Sequence, residues 1–321
     1  MARRNADQRS LQPTRIGWGD SVFRTALTLL AAVIPLLFLA LVGRLALSAW
    51  PTIRAFGPRF LTTTTWDPVA NVYGAAPMIL GTLFSSLIAL VLAVPLAVGV
   101  AIYLTEFAPR WLRRPVGTLV ELLAAIPSVV YGLWGIFVLI PLLRTYIVPP
   151  LQAAFGWTPL FSGTFFGNSM LAAGVILAVM ILPYISSVSR EVLAAVPPSQ
   201  REAALALGAT RWEAVWSAVL PYGRAGVVGA VVLGLGRALG ETMAVVMVIG
   251  NRHDLSASLV EPGITMAAVI ANEFNEAAGL QRSALFEVGL VLFGVTVAVN
   301  ALARLLVWRV ARGSAVGSRA I

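Results

Sequence analysis

Residues 201–221 read REAALALGATRWEAVWSAVLP, a polar, helix-forming stretch set between two strongly apolar ones. Two hydroxyl–carboxylate spacings mark helix starts: Ser199 with Glu202, and Thr210 with Glu213. In each, the hydroxyl can accept from an amide of the first turn while the carboxylate reaches back to the N–H of the cap. Gly208 stands between the two helices, where the residue after a helix end takes a left-handed backbone. Pro197 and Pro198 stop the helix before them. The stretch therefore reads as a short, rigid helix–turn–helix at a membrane surface, a shape suited to docking a partner and passing force on.

The membrane follows from what surrounds it. The chain has 321 residues, 59% hydrophobic and 12% charged, far too apolar for a soluble domain. Six long apolar runs cover residues 25–49, 77–104, 116–143, 169–187, 226–250 and 284–307. Each is near or above the ~20 residues that a helix needs to cross about 30 Å of hydrocarbon. None alternates like a strand with turns every ten residues, which argues against a barrel. Without water to pair backbone groups, spanning helices remain. The fold class is an all-α membrane protein with six transmembrane helices.

All 23 basic residues are Arg. With the N-terminus in the cytoplasm, sixteen of them fall on the cytoplasmic side and five outside (Arg54, Arg59, Arg144, Arg252 and Arg282). Such a positive-inside bias puts both termini and the hairpin around Glu202 in the cytoplasm. The net charge of +9 is thus a topology signal. The Arg residues are scattered over short loops, which speaks against nucleic acid as a partner. Residues 1–24 read as a disordered cytoplasmic tail. Residues 25–76 read as the first transmembrane helix with its outer loop, irregular or partly strand-like over 50–76. Residues 77–309 form a five-helix transmembrane domain containing the hairpin at about 197–221, and 310–321 a second cytoplasmic tail. The first apolar run is about twice the usual signal-peptide core, so it reads as a retained anchor, with Arg44 snorkelling outward. The outer loop 251–283 carries an apolar piece, 266–271, long enough for a short helix that could meet an external partner.

No Cys is present, which removes thiol chemistry and Cys-based metal sites. The one His, His253, reads as a solvated loop residue, and no metal or cofactor is expected. Pro127, Pro183 and the run Gly226, Gly229, Gly234, Gly236 and Gly240 permit kinks and close helix approach. The glycines at 234, 236 and 240 miss the dinucleotide-binding spacing and follow no strand. Arg237 and Glu241 are an oppositely charged pair near the centre of the fifth run. Arg237 lies about 16 Å along a helix from Gly226, where an Arg costs about 2.5–3.5 kcal/mol on insertion scales. At i,i+4 the two share one helix face. Either they form a mutual salt bridge that stiffens the bundle, or Arg237 lines a path and holds an anion, two of whose oxygens its planar fork can grip. In the second case Glu241 holds Arg237 when the path is empty and weakens anion binding so that the anion can leave.

Three motifs carry a family resemblance. Glu202-Ala203-Ala204, three residues, Gly208, then Leu220-Pro221 resembles the EAA coupling loop of ABC importer permeases, with Ala218 where that family often has Ile. Leu233-Gly234-Leu235-Gly236-Arg237-Ala238-Leu239-Gly240-Glu241-Thr242-Met243-Ala244-Val245 and Ala125-Ile126-Pro127-Ser128-Val129-Val130-Tyr131-Gly132-Leu133-Trp134-Gly135 are similar to segments of the permeases of the phosphate-specific ABC importer. The likeness covers most of residues 77–309. It implies a type I (MetI-like) importer permease in the bacterial inner membrane, which moves inorganic phosphate by alternating access and catalyses nothing itself. It further implies a second permease subunit, two ATP-binding subunits and an external phosphate-binding protein. ATPase coupling then falls to Glu202, Ala203, Ala204 and Gly208, and the substrate path to Arg237 and Glu241. A sulfate, molybdate or phosphonate permease would suit an Arg-lined path equally. An ion-coupled transporter would want more intramembrane acids than Glu121 and Glu241, and an intramembrane enzyme lacks paired catalytic groups.

Overall fold

The computed structural model describes residues 18–317. Ten helices build the described part: α1 (Trp18–Phe56), α2 (Ala76–Ile102), α3 (Arg110–Ala124), α4 (Ser128–Phe155), α5 (Met170–Ala194), α6 (Pro198–Ala206), α7 (Arg211–Gly240), α8 (Met243–Val248), α9 (Met266–Glu273) and α10 (Gly279–Gly317). Among the described residues, strand-like pairing is limited to two isolated bridges, Asp67–Val72 and Gly250–Gly263. Six helices, α1, α2, α4, α5, α7 and α10, are long and apolar enough to cross a membrane.

The chain divides into two units at Ser48. The first holds α1 up to Leu47, whose Leu29, Leu30, Ile34 and Leu37 are exposed, as lipid-facing side chains are. Most of the tail expected over 1–24 lies outside the described residues, but 18–24 is already helical. At the other end α10 runs to Gly317, through most of the second expected tail. The second unit begins with the rest of α1, which continues to Phe56 before a tight turn at Gly57–Leu61. The outer segment expected from residue 50 is shorter by that length, because α1 continues through Pro51 as far as Phe56.

The centre of the second unit is α5, the most buried crossing. Ser169 caps it, accepting from the Ala172 N–H at 3.1 Å. Its side chains Ile176, Leu177, Ile181 and Ile185 are at most 1% exposed. They meet α2 along a ladder of small buried residues, Ser85, Ala89, Ala93, Ala97 and Ala101, spaced by four. Small residues at that spacing let two helix axes approach closely. One turn further out Gly81 is obligatory, because a Cβ there would lie 1.9 Å from the Ile264 carbonyl oxygen.

Two crossings differ from the apolar runs. The run 116–143 is split by the break at Ala125–Pro127, and its second part continues to Phe155. The run 226–250 is split at Glu241–Thr242, and its first part begins at Arg211. Hydropathy marks how much of a segment is apolar, and neither break changes that average.

Four wide i→i+5 turns interrupt the helices, at Tyr103–Phe107, Gly135–Leu139, Leu143–Ile147 and Val215–Val219. Each is followed two residues later by a proline: Pro109, Pro141, Pro149 and Pro221. A proline lacks an N–H and its ring crowds the carbonyl four residues back. Widening the preceding turn relieves that crowding.

The apolar piece 266–271 does form a helix, α9, with Thr265 as its cap. Its first four residues are buried, however, and the Met266 N–H donates to the Thr82 hydroxyl of α2 at 3.0 Å. That part of α9 is core, so it offers no face to an outside partner.

Candidate functional site

Arg237 sits in the last turn of α7, beside the break. Its guanidinium carbon lies 4.5 Å from the centroid of the Tyr184 ring. Tyr184 is 14 residues after Met170, about 21 Å along α5 and slightly past its middle. The other ends of the α7–α8 pair fix the register. Gly223 in α7 abuts Leu193 near the end of α5, whereas the Val248 carbonyl in α8 accepts from Ser169 at the start of α5. The α7–α8 pair therefore runs the length of α5 and is broken close to mid-depth.

The second break lies alongside. Tyr184 Oη donates to the Ala124 carbonyl at 3.5 Å, and Tyr131 Oη donates to the Leu123 carbonyl at 2.7 Å. Two interrupted crossings, α3–α4 and α7–α8, thus flank one tyrosine and one arginine. Arg237 forms no ion pair among the described residues, and its Nε is buried without a hydrogen-bond partner.

The i,i+4 pairing expected of Arg237 and Glu241 is not made. The helix ends at Gly240, and Glu241 is extended at ψ 129°, so the two are not on one helix face. The Glu241 carboxylate instead accepts from the Ala244 N–H at 3.3 Å, at the start of α8. The polar pair Glu241-Thr242 after Gly240 is a stop-and-start signal that reading for i,i+4 partners overlooked.

The hairpin lies at the opposite end of α5 from Ser169. Of its two expected capping boxes, one forms. Thr210 accepts from the Glu213 N–H at 3.3 Å, and Glu213 accepts from the Thr210 N–H at 2.7 Å. Ser199 caps nothing, because Pro197 takes the cap position and Pro198 the first helical one. Proline suits that first position, since its missing N–H would be unpaired anyway. Glu202 is consequently free of a capping role and is exposed. Gly208 has φ +85°. The bonds Gly208 N–H to Leu205 C=O (3.0 Å) and Ala209 N–H to Ala204 C=O (3.2 Å) make the two-bond Schellman closure. No residue of α6 is buried, and Leu207 is 90% exposed.

Arg201 anchors this exposed helix, a role its sequence position did not reveal. Its Nε and Nη2 donate to Glu106 Oε1 at 3.0 and 2.7 Å, and Nη1 and Nη2 donate to the carbonyls of Val196 and Leu193. One side chain joins α6 to the ends of α2 and α5. An Arg–carboxylate fork is directional as well as strong. Glu106 lies 95 residues away in sequence, and no local pattern links the two.

On the far side, His253 is not a solvated loop residue. Its Nε2 lies 2.9 Å from Glu273 Oε1, and its ring is stacked on Trp66 at 6.0 Å. Trp66 Nε1 and Gln281 Nε2 both donate to Glu273 Oε2, at 2.9 and 3.0 Å. Burial pushes the Glu273 carboxyl up, but the hydrogen bonds from His253, Trp66 and Gln281 outweigh it and hold the group below its ordinary value.

Residues 93–312 match the family described as binding-protein-dependent transport system inner membrane component, and the chain belongs to that family. Its class is that of a multi-pass inner-membrane transporter component. More particularly, it is 50% identical to the phosphate transport system permease protein PstC of Pasteurella multocida, over 91% of this chain and 92% of that protein. It is 46% identical to the protein of the same name from Mesorhizobium japonicum, over 92% of each. It is 44% identical to phosphate transport system permease protein PstC 2 of Mycobacterium tuberculosis, over 89% of this chain and 91% of that one. A solved structure of the MetNI methionine ABC transporter in an inward facing conformation superimposes with a TM-score of 0.55, at 17% identity, over 77% of this chain and 99% of that one. That likeness bears out the fold expected from the motifs.

Proposed function

We propose that this chain is the permease subunit of an ATP-driven importer that moves inorganic phosphate across the bacterial inner membrane. The observation that carries the reading is Arg237, a cation near mid-depth, beside two helix breaks, with no anionic partner among the described residues. An unpaired charge there is tolerated where an anion visits. The choice of phosphate rests on the names of the relatives at 44–50% identity.

The partners are a second permease, two ATP-binding subunits and an external phosphate-binding protein. The chain has no Lys and so no P-loop lysine of its own; ATP hydrolysis belongs to the partner. With both termini in the cytoplasm, the face carrying Glu202, Ala203 and Ala204 meets that partner. Its closure moves α6, and Arg201 passes the motion to the ends of α2 and α5. From α5 it reaches Tyr184, and through the Gly208 turn and α7 it reaches Arg237. The two sides of the break are thereby driven together, which opens the path alternately to either side. Glu241, at the break, adds a negative charge that shortens the stay of the anion.

Uptake of labelled phosphate by cells carrying the full importer tests this. Arg237→Gln is expected to abolish uptake while the complex still assembles. Normal uptake by that variant would overturn the role of the charge, and equal competition by sulfate or molybdate would overturn the choice of phosphate.

A further inference from the structure

A cavity of about 430 Å³ opens at the hairpin end of the bundle, between α3 and the ends of α2 and α5. Arg113, Arg114 and Arg190 line it, with Thr118, Glu121 and Glu191. The cations differ in what they already hold. Arg190 is paired with Glu121. Arg113 donates one N–H to the Thr105 carbonyl at 2.8 Å. Arg114 forms no ion pair or hydrogen bond among the described residues. Guanidinium donors are thus left over within the cavity, and they fit the oxygens of a phosphoryl group.

The same helix carries a second feature beside the first. Leu119 and Leu122 are each 59% exposed, and Trp111, nearer the hairpin end of α3, is 76% exposed. Positions 111, 115, 119 and 122 fall along one side of a helix. Arginines and a tryptophan at the polar end, with leucines toward mid-depth, repeat the order of a phospholipid: headgroup, interface, acyl chain. Basic pockets between membrane helices recognise anionic headgroups in this way.

We propose that this cavity binds the phosphoryl headgroup of an anionic phospholipid, with an acyl chain laid along Leu119 and Leu122. Free phosphate shares the headgroup chemistry but makes no use of the leucines. The test uses the purified full chain in detergent, with retained lipid read by native mass spectrometry. Phosphatidylglycerol is expected to be retained over phosphatidylcholine, and millimolar inorganic phosphate is expected to leave it in place. Arg114→Gln, which breaks no internal contact, is expected to lower retention about fivefold, and the double variant R113Q/R114Q further. Arg110→Gln removes the same charge from α3 outside the cavity and is expected to change retention less than about twofold. Leu119→Ser with Leu122→Ser is expected to weaken retention with the arginines intact. Equal retention of phosphatidylcholine, or unchanged retention in Arg114→Gln, would overturn the site. Displacement by inorganic phosphate, or indifference to the leucine changes, would make it a free-anion site and overturn the lipid.

Discussion

A single arginine near mid-depth is tolerated only through its surroundings, and at the residue scale those surroundings are a tyrosine ring. The Tyr184 face lies under the Arg237 guanidinium, a contact that is worth up to about 2 kcal/mol when desolvated. Tyr184→Phe keeps the face and loses only a long hydrogen bond to Ala124, so phosphate uptake is expected to stay within about twofold of normal. Tyr184→Leu removes the face and is expected to lower kcat/KM for uptake about five- to thirtyfold, corresponding to about 1–2 kcal/mol. Equal uptake by the two variants would show that the ring does not place the cation. Arg237 itself was legible in the sequence, because the desolvation cost of an ion in an apolar run can be read one residue at a time. Its neighbour was not, because Tyr184 lies on another helix and looks like any amphipathic interfacial residue.

At the element scale, prolines and one glycine shape the helices. The wide turns before Pro109, Pro141, Pro149 and Pro221 keep the helices running where a narrow turn would clash. The Val215–Val219 turn matters most, since it lets the hairpin continue into α7 as one rod. Gly208 closes the other half of the hairpin at φ +85°, with no atom within 4 Å of where a Cβ would stand. Crowding is therefore no obstacle, and only backbone conformation decides the outcome. Gly208→Val is expected to cost about 1–2 kcal/mol of hairpin stability and to uncouple ATP hydrolysis from uptake. Gly208→Asn, which tolerates the left-handed region, is expected to restore most coupling. A Val variant with wild-type coupling would remove the turn from the force path. The Thr210–Glu213 cap and the glycine were readable because both obey local spacing. The Ser199 box failed because two prolines one and two residues earlier had already set the start of the helix.

At the scale of the whole molecule, two long-range polar anchors hold opposite ends of the bundle. Arg201 with Glu106 fixes the exposed helix α6 to α2 and α5. Arg201→Gln leaves Glu106 and two carbonyls short of donors, a loss of about 2–3 kcal/mol. In the assembled importer it is expected to let ATP hydrolysis continue without uptake, and Arg201→Lys is not expected to rescue it, since an ammonium cannot make the fork. Tight coupling in Arg201→Gln would refute that link. At the end of the bundle opposite the hairpin, Glu273 holds the 62–75 segment through Trp66. Its carboxyl is depressed in the folded chain relative to the ordinary 4.5. Stability from that depression is present above the ordinary value and is lost as pH falls through the lower folded one. The protection factors of the 62–75 amides, taken against the intrinsic exchange rate at each pH, are therefore expected to be high at neutral pH and to fall below about pH 4.5. In Glu273→Gln they are expected to be lower at neutral pH and to lack that acid step. An unchanged acid step in the variant would place the sensitivity elsewhere.

The sequence alone determined that the chain is helical, that it crosses a membrane six times, where its polar hairpin lies and which charge stands within the fifth apolar run. Each of these follows from local quantities: apolar length against bilayer thickness, cap spacing, and the cost of one ion in hydrocarbon. Only the tertiary structure decided that two crossings are broken side by side and that Arg201, Glu106, His253 and Glu273 act as anchors. Those outcomes depend on which polar groups meet across separations of 20 to 207 residues. A backbone break inside the membrane is stable only where neighbouring helices satisfy the groups it frees, and no segment carries that information by itself.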